Sequence, residues 1–258
     1  MSEIAPRLAA LGLRHSAEHL DDLVAFAQKR RLGPREMLEH VVDLEEKDRA
    51  RRSLERRAAR SRIGRFKTIA DYDWNWPKHV ERAKVEAAVQ LNFLAEHRNV
   101  VLVAPQGLGK TMIAQNIAHQ AVLQGHSVLF LTAAQMLLDL GAQESARGLD
   151  RRLRFYASVA LLVIDEVGYL SFDPRNADLL FQVVSRRYEK KSLVLTTNLA
   201  FQDWPSIFPN ASCATALIDR VIHHADVLAI EGDSYRLREA QHRKDRPGKA
   251  PTEAPKPP

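Results

Sequence analysis

With one cysteine, Cys213, among 258 residues, the chain can build neither an internal disulfide nor a cysteine-based zinc site, and a reducing compartment is expected. No apolar run approaches the roughly 18 residues that a membrane span needs, so no membrane partner is expected. Met1–Leu13 lacks the basic, then apolar, then small-residue order of a secretory leader. The expected location is therefore the cytoplasm, beside the nucleoid. Internal repeats are absent, which sets aside solenoids and propellers.

One further scarcity is local. Between Lys47 and Lys67 only two acids, Asp48 and Glu55, face ten lysines and arginines, a local charge of +8. The whole chain carries +6, so everything outside this stretch sums to −2. A solvated helix face usually interleaves both signs, whereas a run of one sign fits a polyanion. Arg49, Arg51, Arg52, Arg56, Arg57, Arg60, Arg62 and Arg65 are the candidate contacts to duplex DNA.

Residues 1–67 read as a small helical domain ending in this basic arm. Leu20, Leu23, Val24 and Ala27 share one face of a helix over His19–Arg31. Gly33–Pro34 punctuates, and a third helix follows from Glu36. Tyr72, Trp74 and Trp76 then mark an irregular linker that packs on the next domain or stacks on a base. A helix is predicted over Val80–His97.

From residue 100 short apolar runs alternate with helical stretches, as a parallel sheet with crossover helices requires. Strands are predicted at Val100–Val103, Ser127–Leu131, Leu161–Ile164, Leu193–Thr197 and Val227–Ile230. Helices are predicted at Thr111–Gln124, Ala134–Ala146 and Arg175–Lys190, the last capped by Asp173. Residues 68–241 would form this α/β domain, and 242–258, rich in proline and basic residues, a disordered tail.

The chemistry is concentrated at the ends of three strands. Ala104-Pro105-Gln106-Gly107-Leu108-Gly109-Lys110-Thr111 lies between a strand and a helix, the context of a working phosphate loop. Its glycines let consecutive amides turn toward phosphate oxygens at a helix start. Lys110 would reach the β- and γ-phosphates of ATP, and the Thr111 hydroxyl would ligate Mg2+. Fifty-five residues after Lys110, the apolar run Val159–Ile164 ends in Asp165-Glu166. Carboxylates are costly at the tip of a buried strand unless they work there. Asp165 can hold Mg2+, and Glu166 can deprotonate the attacking water.

Asn198 ends the next strand, where it either touches the γ-phosphate and lytic water or merely serves a turn. Arg220 is either a stabiliser of transition-state charge or a surface arginine paired with an acid such as Asp219. His223 and His224 are neighbours with no further ligand near them in sequence, so packing or capping is the expected role. Cys213 has no evident activator.

The order phosphate loop, Asp-Glu, strand-Asn, Asp-Arg resembles the AAA+ ATPases of the helicase-loader and initiator branch. Leu162–Leu170, Leu180–Glu189 and Ala216–Ala225 with Glu231–Glu239 narrow the resemblance to IstB, the ATPase of two-gene insertion sequences and a relative of DnaC. The resemblance spans nearly the whole chain to about Glu239. It implies a P-loop AAA+ core, a parallel sheet flanked by helices, beside the small N-terminal helical domain; little sequence follows the last predicted strand, so the full C-terminal lid of many AAA+ proteins is not expected. It implies that Asn198 is the sensor-1 residue and Arg220 an arginine finger acting on ATP in the neighbouring subunit. It further implies an ATP-dependent homo-oligomer, ring or helical, on duplex DNA, which bends the DNA and presents it to an IstA-type transposase. Two departures stand out. Ala104 replaces the usual first glycine, and a sensor-2 arginine has only Arg236 and Arg238 as weak substitutes. A DnaC-like helicase loader is the rival reading. A nucleoside or small-molecule kinase would leave the basic arm unexplained.

Overall fold

A computed structural model describes residues 4–169, 171–235 and Arg238. The tail expected over 242–258 lies outside the described residues, as does Arg236. The chain divides into two compact units between Arg60 and Ser61.

The first unit is helical, with α1 (Ile4–Ala10), α2 (Arg14–Glu18), α3 (Leu20–Arg30) and α4, which begins at Pro34 and runs to Ser61. Arg31 closes α3 in the left-handed region (φ 53°). Pro34 supplies the first-turn geometry of α4, and the Gly33 amide donates to the Glu36 carboxylate at 2.7 Å. Phe26 stacks on His40 with centroids 4.6 Å apart, tying α3 to α4. The Ser16 amide donates to Glu45 at 2.7 Å and ties in α2. The basic arm is thus helix through Ser61. Within it Arg51 pairs with Asp48 (2.5 Å) and Glu55 (2.8 Å), and Arg52 pairs with Asp48 (2.8 Å). The hydrogen bond from Arg51 holds the Asp48 carboxyl below the usual carboxylate range.

In the second unit the linker lies along a helix of the core. Gln115 donates to the Ile63 carbonyl (3.0 Å), Asn116 donates to that of Lys67 (3.0 Å), and the Ile69 amide donates to Asn116 (2.9 Å). There follow β1 (His79–Val80), α5 (Arg82–Gln90), α6 (Asn92–Ala95), β2 (Asn99–Val103), α7 (Lys110–Leu123), β3 (Val128–Thr132), α8 (Ala133–Gly141) and α9 (Ala146–Ser158). The chain continues through β4 (Leu161–Val167), α10 (Pro174–Arg187), β5 (Ser192–Thr197), α11 (Ala211–Ile222) and β6 (Ala225–Glu231). The sheet order is β1-β6-β2-β5-β4-β3. All pairings are parallel except β1 with β6.

Parallel strands are buried on both faces, which is why their sequences read as continuous apolar runs. Val101, Leu129, Leu131, Leu162, Ile164, Leu193 and Leu195 join one core with α8, α9, α10 and α11. Helix α7 packs on β2, β3, β4 and β5 through its buried Ile113, Ala114, Ile117, Ala118 and Ala121.

Two expectations are corrected, and one segment gains an element. The helix predicted over Val80–His97 is broken, because Leu91 adopts φ 69° and separates α5 from α6. The helix predicted to reach Ala146 stops at Gly141, and Ser145 then caps a separate α9 by accepting from the Gly148 amide at 3.0 Å. Residues 211–222, read from sequence only as a motif, form α11, capped by Asn210, which accepts from the Cys213 amide at 2.8 Å.

Candidate nucleotide site

The loop Ala104–Gly109 leaves the end of β2 and feeds α7 at Lys110. Gly107 and Gly109 take φ 80° and 85°, the left-handed region that turns the loop. Both are also pressed from outside. A β-carbon at Gly109 would sit 2.6 Å from the Tyr72 ring, and one at Gly107 would sit 2.1 Å from the Ser234 hydroxyl. The Tyr72 hydroxyl donates to the Leu108 carbonyl (3.0 Å), and the Tyr235 amide donates to that of Gly107 (3.0 Å). Burial, with Asp73 adding to it, pushes the Tyr72 phenol up to about 12, so it stays a donor. Lys110 donates to the carbonyls of Ala104 (2.6 Å) and Pro105 (2.8 Å), and is thereby held over the loop.

The acidic pair stands opposite. Asp165 is 3% exposed, and its Oδ1 accepts from the Thr111 hydroxyl at 3.2 Å and from the Thr196 hydroxyl at 2.5 Å. The Thr196 oxygen also accepts the Glu166 amide at 2.9 Å. Strand β4 does not stop at Ile164 as predicted but runs to Val167, with a register shift between Ile164 and Val167 against β5. At that bulge Glu166 adopts φ 62° and is exposed. A bulge of this kind re-aims a side chain, and a glutamate in the left-handed region is strained by about 1–3 kcal/mol. A hydroxyl and a carboxylate oxygen in contact are the hard donors that Mg2+ takes, so Thr111 and Asp165 fit that ion.

A cavity of about 610 Å3 lies between the loop and Glu166, while Asp165, Ala104 and Pro105 are not among its lining residues. Gln106 through Thr111, Glu166, Thr196 and Asn198 line it on one side, with Tyr72, Trp76 and Tyr235 as an aromatic wall. The volume is in the range of small-molecule sites. Trp76 is held by its indole N–H on the Asp233 carbonyl (2.8 Å). Arg238 lies over Trp76 at 4.4 Å from the ring centre and pairs with Asp73 at 3.4 Å.

Arg220 is not among the lining residues. Its guanidinium sits over Phe181 (4.6 Å) and donates to the Ala216 carbonyl (3.2 Å), and no acid pairs with it among the described residues. The surface pairing with Asp219 is thus not formed. The arginines of the basic arm through Arg60 belong to the other unit, while Arg62 and Arg65 open the second. Sequence reasoning missed Thr196, which touches both acids. Its only signal was a polar pair, Thr196-Thr197, closing an otherwise apolar strand.

The family model described as IstB-like ATP binding protein matches residues 6–243. The chain belongs to that family. A relative from the insertion sequence IS21 of Pseudomonas aeruginosa, named for ATP binding, is 35% identical over 93% of this chain and 90% of its own length. One from IS232 of Bacillus thuringiensis subsp. berliner is 32% identical over 92% and 95%. Among solved structures, DnaI superposes with a TM-score of 0.52 at 19% identity, over 65% of this chain and 92% of that one. The replication initiator DnaA, bound to AMPPCP and single-stranded DNA, gives 0.50 at 18%, over 67% of this chain and 55% of that one. The IstB-like chain therefore has the P-loop AAA+ fold and an ATP-binding role.

Proposed function

We propose that this IstB-like protein hydrolyses ATP as an oligomer on duplex DNA and prepares that DNA for the transposase of its insertion sequence. The observation carrying the hydrolytic part is the hydrogen-bonded run Thr111–Asp165–Thr196–Glu166 beside the phosphate loop. Loop amides and Lys110 grip the triphosphate, and the adenine stacks against the aromatic wall of Trp76 and Tyr235. Magnesium, held by Thr111 and Asp165, would neutralise charge on the β- and γ-phosphates. Glu166 takes a proton from water as the water oxygen bonds to the γ-phosphorus. The bond from that phosphorus to the β–γ bridging oxygen breaks, leaving ADP and phosphate. Asn198 orients the water.

Among the described residues Arg220 has no acid partner, and it does not line its own chain's cavity, which supports a role in a neighbouring subunit's site. On α4, Arg49, Arg56 and Arg60 are exposed and lie on one helical stripe, apart from the Arg51–Arg52 ion-pair network. This stripe is the favoured DNA contact. The relatives' names, drawn from insertion sequences, favour a transposase over a helicase as partner.

Mixing tests the assembly. Arg220→Ala and Glu166→Gln proteins, each inactive alone, should regain turnover together, because mixed oligomers contain some intact composite sites. No regain at any ratio would remove Arg220 from the neighbour's site. For DNA, log affinity should fall by about 0.9 per log unit of salt for each phosphate contacted. Replacing Arg49, Arg56 and Arg60 with alanine should flatten that slope, and an unchanged slope would move the DNA site elsewhere.

A further inference from the structure

Away from the nucleotide, the parallel strands begin beside a cluster that the sequence kept apart. Glu189 lies in the turn from α10 to β5, and His223 and His224 lie in the turn from α11 to β6. One ligand atom from each of the three falls within 4.8 Å of the others, and all three residues are exposed. The two histidines, expected to lack a further ligand, thus have one supplied from 34 residues earlier.

The geometry points to a binding site for a divalent transition-metal ion, zinc by preference, held by Glu189, His223 and His224 with a fourth position open to water. His224 Nε2 lies 3.4 Å from Glu189 Oε1. That is longer than a good hydrogen bond, but it is the edge of a tetrahedron, about 3.4 Å, that zinc–nitrogen and zinc–oxygen bonds of about 2.1 Å define. The Tyr188 hydroxyl is 2.7 Å from His223 Nδ1. It holds that ring by one nitrogen and leaves the other for the ion, as the outer partner of a ligating histidine does. Imidazole and carboxylate together suit zinc over magnesium or calcium.

Both turns are fixed before any ion arrives. The amides of Lys190 and Lys191 both donate to the Arg187 carbonyl at 2.9 Å, which holds Glu189 at φ 57°. The Asn99 amide donates to the His224 carbonyl at 2.7 Å, while its side chain accepts from the Leu193 amide (2.9 Å) and donates to the Val221 carbonyl (3.0 Å). Asn99 therefore staples β2, β5 and α11 just beneath the cluster. An ion there would tie the end of α10 to the end of α11, three residues beyond Arg220.

The test is a zinc titration of the tag-free full chain against a chromophoric chelator, without nucleotide, with cobalt absorption in parallel. One saturable equivalent per chain and the intense visible bands of four-coordinate cobalt are expected. His224→Ala and Glu189→Gln should each weaken binding by more than tenfold, and Tyr188→Phe by about tenfold. His15→Ala, in the stacked His15–His19 pair of the first unit, should bind as the parent does. Far-ultraviolet circular dichroism establishes that each variant is folded. Glu189→Gln replaces an exposed carboxylate by its isostere, so it remains informative if a histidine variant does not fold. Absence of a saturable equivalent in the parent, or full binding by folded Glu189→Gln and His224→Ala, would overturn the site.

Discussion

The seam between β4 and β5 has a buried charge near each end, Asp165 on β4 and Arg187 at the close of α10, and the two are treated in opposite ways. At the finishing end Asp165 is met by the hydroxyls of Thr111 and Thr196. At the starting end the fully buried Arg187 donates to four carbonyls, of Tyr156 (2.8 Å), Val159 (2.9 Å), Ala160 (3.2 Å) and Ser192 (2.6 Å). Burial pushes the Arg187 guanidinium down to about 9. Carbonyls consume the guanidinium's donors, and among the described residues only its Nε lacks a partner. Hydroxyls leave the carboxylate's remaining lone pairs open to a cation. One end of the seam is closed and structural, and the other is left available for chemistry.

Substitutions at each end break this contrast in different observables. The largest effect is expected from Glu166→Gln, which should cut ATP turnover by about 100–10,000-fold, the usual worth of a general base. ATP affinity, read by equilibrium binding, should hardly change. Next comes Arg187→Met, which leaves carbonyls without donors and should cost about 3 kcal/mol or more in a denaturant titration. If Arg187→Met instead left stability intact and abolished turnover, the assignment of the two ends would be reversed. Thr196→Val should lower turnover by about tenfold, the value of one hydrogen bond to a charged group. Its affinity for ATP should hold, because Lys110 and the loop amides are untouched. A loss of affinity equal to the loss of turnover would make Thr196 a binding residue. The smallest effect, a gain in stability of about 1 kcal/mol, is expected from Glu166→Gly, since glycine accepts a positive φ without strain.

What was legible in the sequence was contiguous. The phosphate loop needs eight successive residues between a strand and a helix, and Asp165-Glu166 closes an apolar run, so both stand out in one dimension. Asn198 was placed by the strand it ends. Helix α9 escaped because its arginines at 147, 151, 152 and 154 obscure the spacing of Leu149, Leu153 and Tyr156. The break at Leu91 escaped because nothing local disfavours helix there. The bulge at Glu166 is set by pairing with β5, and Thr196 gains its role only when β5 lies beside β4. Glu189 meets His223 and His224 through two separate turns. Contacts across strands and turns have no signature in linear spacing.

The left-handed glutamate at the β4 bulge also has a bearing on descent. On the proposed reading, a copy of this gene with glycine at residue 166 would gain a sturdier chain and lose the base assigned to Glu166. Laboratory selection for soluble expression would therefore favour silent copies. A glutamate kept at that position would then be held there by selection for turnover, against the pull of folding.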